Sequence, residues 1–309
     1  MLRGYFQKAI FIAISVMSLR SHAEDPFFKA LHFPDSAPEL VRGKEVDQSL
    51  RRSLLLLSPE ELKAKGYKIV LGPNEVAIAN YYHDGKFFIA RMSIDKLQDS
   101  IFQKVDFTSG GIPAAHSQVR FRFSEPGSVE LFDQNDPTNS RATHQLQDLV
   151  ISAEANFSKD LSQSFDLFKG LKDQFHLAIR ARSLDDVFQK NIIQESRGIF
   201  QYKLKLNPDE QKAFFANLLS RADQSGRRFE FYNTLGNSCT TEIYDAIDSS
   251  VRRNGVRAFY MRKLDKLPLF ARRYLGGRGL LWGELPTLEV ERKAQLDALG
   301  IHFVQGGCS

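Results

Sequence analysis

The chain has 309 residues, with 42 Lys and Arg against 37 Asp and Glu, a formal net charge of +5. Hydrophobic residues at 42% and charged residues at 26% exclude a disordered or fibrous chain, and a mean hydropathy of −0.31 excludes a multi-span membrane protein. Two cysteines, Cys239 and Cys308, exclude a disulfide-dense scaffold and an all-cysteine zinc site.

Arg3 and Lys8 precede an apolar run from Ala9 to Leu19, and Ser21 and Ala23 then supply the small residues a signal peptidase requires. Residues 1–23 therefore read as a secretory signal peptide cleaved after Ala23. The run is shorter than the roughly 20 apolar residues of a membrane-spanning helix. No cysteine lies near the cleavage point, so an exported product is expected in the periplasm, and not as a lipoprotein. Losing Arg3, Lys8 and Arg20 lowers the net charge to +2. Residues 251–280 hold nine cations against Asp265, so the rest of the mature chain is acidic.

Residues 24–66 read as an irregular, partly helical lead-in, with Ser58, Pro59 and Glu61 in a capping-box pattern. Tyr67 to Leu71 and Val76 to Ile94 read as strands, the latter folded at Asp84-Gly85, which leaves His83 as a solvated turn residue. Gly110-Gly111-Ile112-Pro113 reads as a break before a strand from Gln118 to Phe123, in which Val119, Phe121 and Phe123 alternate with polar residues. Glu125-Pro126-Gly127 turns the chain into a strand from Ser128 to Phe132, and Leu149 to Ala153 is a further strand. Helices are expected around 159–172 and 184–194. After an alternating stretch from Phe200 to Leu206, Asn207 to Glu210 caps a helix with Phe214, Phe215, Leu218, Leu219 and Ala222 on one face. Phe229 to Leu235 returns as a strand. Hairpins mixed with helices indicate an α+β fold.

That last strand leads through Asn237-Ser238 into Cys239, with Ile243, Ile247 and Val251 at helical spacing beyond it. Asn237 or Ser238 can cap this helix and Cys239 falls in its first turn, where backbone N–H groups and the helix dipole lower a thiol pKa and can hold an oxyanion. His116, at the head of the 118–123 strand, is the histidine best placed to act as base. Two other readings of Cys239 stand beside a nucleophile: a packed core cysteine, or a disulfide with Cys308. His32, His144, His176 and His302 have no ligand spacing and read as structural or surface residues. Glu130 and Asp133 are candidates for an orienting carboxylate, and Arg197 reads as structural, paired with Glu195 or with an internal carboxylate. No cofactor and no metal is expected.

Glu195, Arg197, Tyr202, Leu204, Leu206, Tyr232 and Cys239, with the upstream AAHSQVRFRF strand and its His116, together resemble the Lnb N-terminal periplasmic domain family over roughly 100–255. One departure is that the family's asparagine directly before the cysteine is Ser238 here, with Asn237 one position earlier. The resemblance implies a papain-like fold in permuted order, an antiparallel sheet packed against a helix carrying the cysteine, as in lecithin:retinol acyltransferase-like proteins. It also implies thiol chemistry by a cysteine–histidine pair, which membrane-bound namesakes use in N-acylation of lipoproteins. No transmembrane bundle is expected after the domain here, so thiol chemistry is the broader expectation.

The function expected is thus an exported cell-envelope acyltransferase or hydrolase acting on a lipid, lipoprotein or cell-wall peptide. A non-catalytic binding module and a peptidase or amidase are the alternatives. The expected division is a signal peptide at 1–23, a lead-in at 24–100, the cysteine/histidine domain at 101–255 and a basic extension at 256–309. Within residues 251–280, Arg252, Arg253, Arg272 and Arg273 stand among aromatic and leucine side chains. Such a helix either lies on an anionic membrane surface or is a scaffold helix with a solvated basic face. Nucleic acid is not an expected partner.

Overall fold

The computed structural model of the chain describes residues 25–109, 111–161, 167–251 and 267–298. Its centre is a single mixed sheet of twelve strands: β1 (Leu55–Leu57), β2 (Glu75–His83), β3 (Lys86–Ser93), β4 (Leu97–Ser109), β5 (Ile112–Phe123), β6 (Val129–Asp133), β7 (His144–Leu146), β8 (Asp148–Asn156), β9 (Phe175–Arg182), β10 (Ile199–Leu204), β11 (Phe231–Tyr232) and β12 (Leu281–Leu285). The order across it is β12-β10-β4-β5-β8-β9-β2-β3-β6-β7, with β1 on β2 and β11 on β9. The ladders are antiparallel except for the short β2–β9 contact. Strands from the lead-in, the middle and the C-terminal stretch all join this one sheet.

Helices cover the sheet: α1 (Pro59–Ala64), α2 (Leu167–Gly170), α3 (Leu184–Val187) running into a π-helical turn (Phe188–Gln194), α4 (Pro208–Arg227), α5 (Cys239–Ser250), α6 (Ala271–Gly277) and α7 (Leu288–Ala298). The capping box predicted at Ser58 and Glu61 is present, and Asn207 and Glu210 form another at the head of α4. One sheet face buries Phe102, Val119, Phe121, Leu149, Ile151 and Ile179 beneath α4 and α5, where Phe214, Phe215, Ile243 and Ile247 meet them. The Phe121 and Phe215 ring centroids lie 4.8 Å apart, a T-shaped pair. The opposite face carries a smaller core in which Val105, Val150 and Ile199 pack with Leu184, Val187, Phe188 and Leu288.

This two-sided burial explains where the periodicity misleads. β4 and β9 are not expected from the sequence. Ile101 and Phe102 are consecutive and both fully buried, and all eight residues of β9 are buried, Arg180 and Arg182 included. A strand covered on both faces loses the in–out alternation that marks a half-buried one. The expected strand 118–123 is the second half of β5; of the stretch read as a break, Ile112 and Pro113 already pair with β4, and Gly111 precedes them at φ +81.

Tyr67 to Leu71 is not a strand: Tyr67 is buried and its hydroxyl donates to the Gln134 carbonyl. Residues 159–161 are not helical, and the expected 159–172 helix is present only as α2, with 162–166 outside the described residues. Of Phe229 to Leu235, only Phe231 and Tyr232 pair as strand. Asp84-Gly85 is the hairpin turn expected, with both residues at positive φ.

Candidate active site at a fork in the sheet

β5 pairs with β4 over nearly its whole length, and β8 pairs with β9 from Val150 to Asn156. Between β5 and β8 the ladder covers only Val119–Arg122 against Asp148–Ile151. Past Val119 the two strands continue without pairing, and the sheet forks. A cavity of about 210 Å³ opens there, lined by Ala115 and His116 of β5, Ala153, Glu154 and Ala155 of β8, and Cys239 at the first position of α5.

α5 is anchored at the fork by polar contacts of its first turn. Ser238 is the N-cap: its Oγ accepts from the Thr241 N–H, and Thr241 Oγ1 accepts from the Ser238 N–H in return. Thr240 Oγ1 lies 3.0 Å from Ser117 Oγ on β5. The Cys239 thiol is 4% exposed and free of any disulfide. Thr240 Oγ1 lies 3.8 Å from its sulfur, and the Ser117 main chain, the Thr240 hydroxyl and main chain, and the Tyr232 hydroxyl all act to lower its pKa. These groups favour the thiolate, but burial outweighs them and pushes the thiol pKa up. The lowered thiol pKa expected from the helix start is therefore overturned by desolvation.

His116 lies one residue before Ser117, so sequence neighbours on β5 supply both a cavity-lining imidazole and the hydroxyl that meets Thr240 at the head of α5. Its Nε2 is buried without a hydrogen-bond partner, and burial pulls its pKa down to about 4. The resting site at neutral pH is therefore a neutral thiol with a neutral imidazole.

Residues 90–273 match the model of the family described as the Lnb N-terminal periplasmic domain, more than half of the chain. The chain belongs to this family. Its description carries the periplasmic placement expected from the sequence. No curated protein and no solved structure matched. Among the described residues no helix is long and apolar enough to cross a membrane.

The Lnb family span holds His116, Tyr232 and Cys239, and also a polar wall that the sequence reading missed. Glu154 of β8 is the carboxylate at the centre of that wall, 3.0 Å from Arg51, 3.5 Å from Arg180 and 3.8 Å from Arg182. These cations hold it ionised, well below the usual carboxylate range, despite its burial. Lys190 and Asn191, on the π-helical turn after α3, close the cavity from the other side. Glu195 and Arg197 are paired at 3.2 Å and also line it. Arg51 comes from the lead-in, outside the family span. The signal that could have found this wall is the alternation of Arg180 and Arg182 with Leu177, Ile179 and Ala181 in β9: arginines spaced inside a buried strand require an internal carboxylate.

Other candidates lie elsewhere. Glu130 does not orient the histidine: it is on β6, five strands across the sheet from β5, bound to the Arg91 guanidinium. Asp133, also on β6, accepts from the Asn135 N–H. Asn237 is exposed and does not line the cavity; its carbonyl closes the loop by accepting from the Asn233 N–H. The side chain of Ser238 is spent on the cap. His83 is not a solvated turn residue: its Nδ1 is 2.9 Å from Ser183 Oγ, and Asp186 raises its pKa.

Arg272 pairs with Glu284, and Arg273 lies over the Phe270 ring at 5.2 Å. Ala271, Tyr274 and Leu275 of α6 join the main core, with Tyr274 stacked on Tyr244 at 4.0 Å, while Leu269, Phe270 and Trp282 are exposed. Arg252, Arg253, Cys308 and His302 lie outside the described residues, as does the expected signal peptide.

Proposed function

We propose that this chain is an exported cell-envelope thiol enzyme, an acyltransferase or hydrolase, with Cys239 as nucleophile and His116 as general base. The observation that carries the reading is that a helix-initial cysteine and a strand histidine, 123 residues apart, line one cavity at the fork. The order of histidine strand before cysteine helix is that of a permuted papain-like fold, and we read the architecture so.

In this reading His116 Nε2 takes the thiol proton as Cys239 sulfur attacks the carbonyl of an ester or amide. A C–S bond forms, the carbonyl oxygen becomes an oxyanion, and the Ser117 and Thr240 N–H groups and the dipole of α5 offset the charge that develops. Collapse breaks the bond to the alcohol or amine, which leaves with the proton held by His116. An incoming amine or water then gives its proton to His116 as it attacks the acyl-thioester; the C–S bond breaks, and the departing Cys239 thiolate recovers that proton from His116. Because thiol and imidazole rest neutral, the charge separates only on attack.

The test is acyl release from a diacyl phospholipid, a diacylglyceryl lipopeptide and a muropeptide, by the wild type, Cys239→Ala and His116→Ala. The reading expects turnover of one of these by the wild type, abolished in Cys239→Ala and lowered about 10²- to 10⁴-fold in His116→Ala. Unchanged turnover in Cys239→Ala ends it. A second reading, a binding module of the same fold, is favoured by the burial of the thiol. It expects Cys239 to stay unreactive toward iodoacetamide.

A further inference from the structure

The polar wall beside Cys239 carries more positive charge than it neutralises. Glu154 is one carboxylate facing Arg51, Arg180 and Arg182, with Lys190 closing the same cavity. Glu195 and Arg197 neutralise each other, both about one-third exposed. Asp186 is engaged with Ser183 Oγ at 2.6 Å and with His83. Arg180 and Arg182 are 3% and 4% exposed, and the Nε of each is buried without a hydrogen-bond partner. Arg182 Nη2 donates to Gln118, a neutral partner, at 2.8 Å. Buried guanidiniums that outnumber their carboxylate carry a large desolvation cost unless an anion joins them. The crowding also shows in Lys190, which burial, then the neighbouring arginines, pull down to about 8 against the opposing pull of Glu154.

We propose that the fork cavity contains a phosphate subsite, formed by Arg51, Arg182 and Lys190 around Glu154, that holds a phosphate group of the substrate beside the Cys239 sulfur. A phosphate presents more charge and more acceptor oxygens than a carboxylate, which suits a wall with several surplus cations. This rests on the thiol-enzyme reading for its place in the reaction and narrows the acyl substrate to a phosphate-bearing one. Phosphate binding itself does not require the thiol. Inorganic phosphate presents to Arg182 and Lys190 the same chemistry as the phosphate of a lipid headgroup, and serves as its probe.

The test uses the full exported chain and its Cys239→Ser variant, with inorganic phosphate, acetate at equal ionic strength, and a dihexanoyl phosphatidylglycerol below its micellar concentration. Thermal unfolding should shift up by about 3–5 °C with phosphate in both proteins and clearly less with acetate. The shift should disappear in Lys190→Gln, whose side chain lies on the cavity wall, and in Arg182→Gln where that variant folds. A larger shift with the phospholipid assigns the phosphate of a lipid headgroup in the substrate; a shift no larger than that with inorganic phosphate overturns the narrowing of the acyl substrate.

A second readout compares alkylation of Cys239 by iodoacetate and iodoacetamide. The surplus cations should raise the iodoacetate-to-iodoacetamide rate ratio about tenfold over that of glutathione, and Lys190→Gln should lower it. No phosphate shift, a shift that survives Lys190→Gln, or a glutathione-like ratio at a reactive Cys239 overturns the subsite and leaves the thiol reading standing. A phosphate shift with an inert Cys239 does the reverse.

Discussion

Ser117 Oγ and Thr240 Oγ1 lie 3.0 Å apart in the interior, each one residue after a proposed catalytic group. This contact fixes β5 to the first turn of α5 where His116 and Cys239 flank the cavity, and it sets the register between histidine strand and cysteine helix.

Ser117→Ala leaves the buried Thr240 hydroxyl without this partner and should lower stability by about 1–3 kcal/mol in urea unfolding. If the contact sets the register, turnover should fall beyond what the folded fraction explains, while Thr240→Ser, which keeps a hydroxyl, retains most activity. Equal activity per folded molecule in Ser117→Ala and wild type would remove the positioning role.

The neutral resting thiol has a kinetic signature. Burial raises the Cys239 pKa above its ordinary value near 9, so iodoacetamide labelling in the absence of substrate should climb about tenfold per pH unit from pH 7 toward pH 9. A rate already level below pH 8 would show a preformed thiolate and contradict the resting state drawn here.

His176 offers a stability test outside the active site. Both of its ring nitrogens are buried without partners, and burial pulls its pKa from 6.5 down to about 4. On acidification the unfolded chain binds the proton first, so stability is full above pH 6.5 and is lost as pH falls toward 4, by about 3 kcal/mol for this residue. His116 adds a loss of the same sign over the same window. His176→Leu should flatten the decline of urea midpoints between pH 6.5 and 4. His83 acts with the opposite sign: Asp186 raises its folded pKa, so its contribution is full below about 6.5 and lost as pH rises through the raised value.

Arg221 of α4 grips Glu242 of α5 through Nε at 2.7 Å and Glu230 through Nη1 at 3.0 Å and Nη2 at 2.6 Å. Arg221→Ala takes this guanidinium away from Glu242, which is 4% exposed. A loss of about 1.5–3 kcal/mol, that of hydrogen bonds to a charged group, is expected by chemical denaturation, with Arg221→Lys less harmful. A change below about 1 kcal/mol would show that the two helices are held by their apolar faces alone.

Local rules made much of this fold readable before it was seen. Both capping boxes, the Asp84-Gly85 turn, the apolar face of α4 and the start of α5 depend on residues close in sequence. What stayed hidden depends on partners distant in sequence. β4 and β9 are covered on both faces, so their patterns look irregular. Glu154 and its arginines are ordinary charges until Arg51, β8 and β9 meet at the fork. The expected fall in thiol pKa counted the helix start and left out desolvation, which the sequence does not display. Glu130 lies on the strand that follows the β5 turn in sequence, while the sheet order places β6 five strands away from β5.

The most direct test of the central claim is intact-mass and peptide-mapping spectrometry after brief incubation with an activated acyl ester. An acyl adduct on Cys239, removed by neutral hydroxylamine, absent in Cys239→Ser and forming at least about 10²-fold more slowly in His116→Ala, is the predicted result. No adduct, an adduct on another residue, or labelling of His116→Ala at the wild-type rate would contradict the assignment of Cys239 and His116.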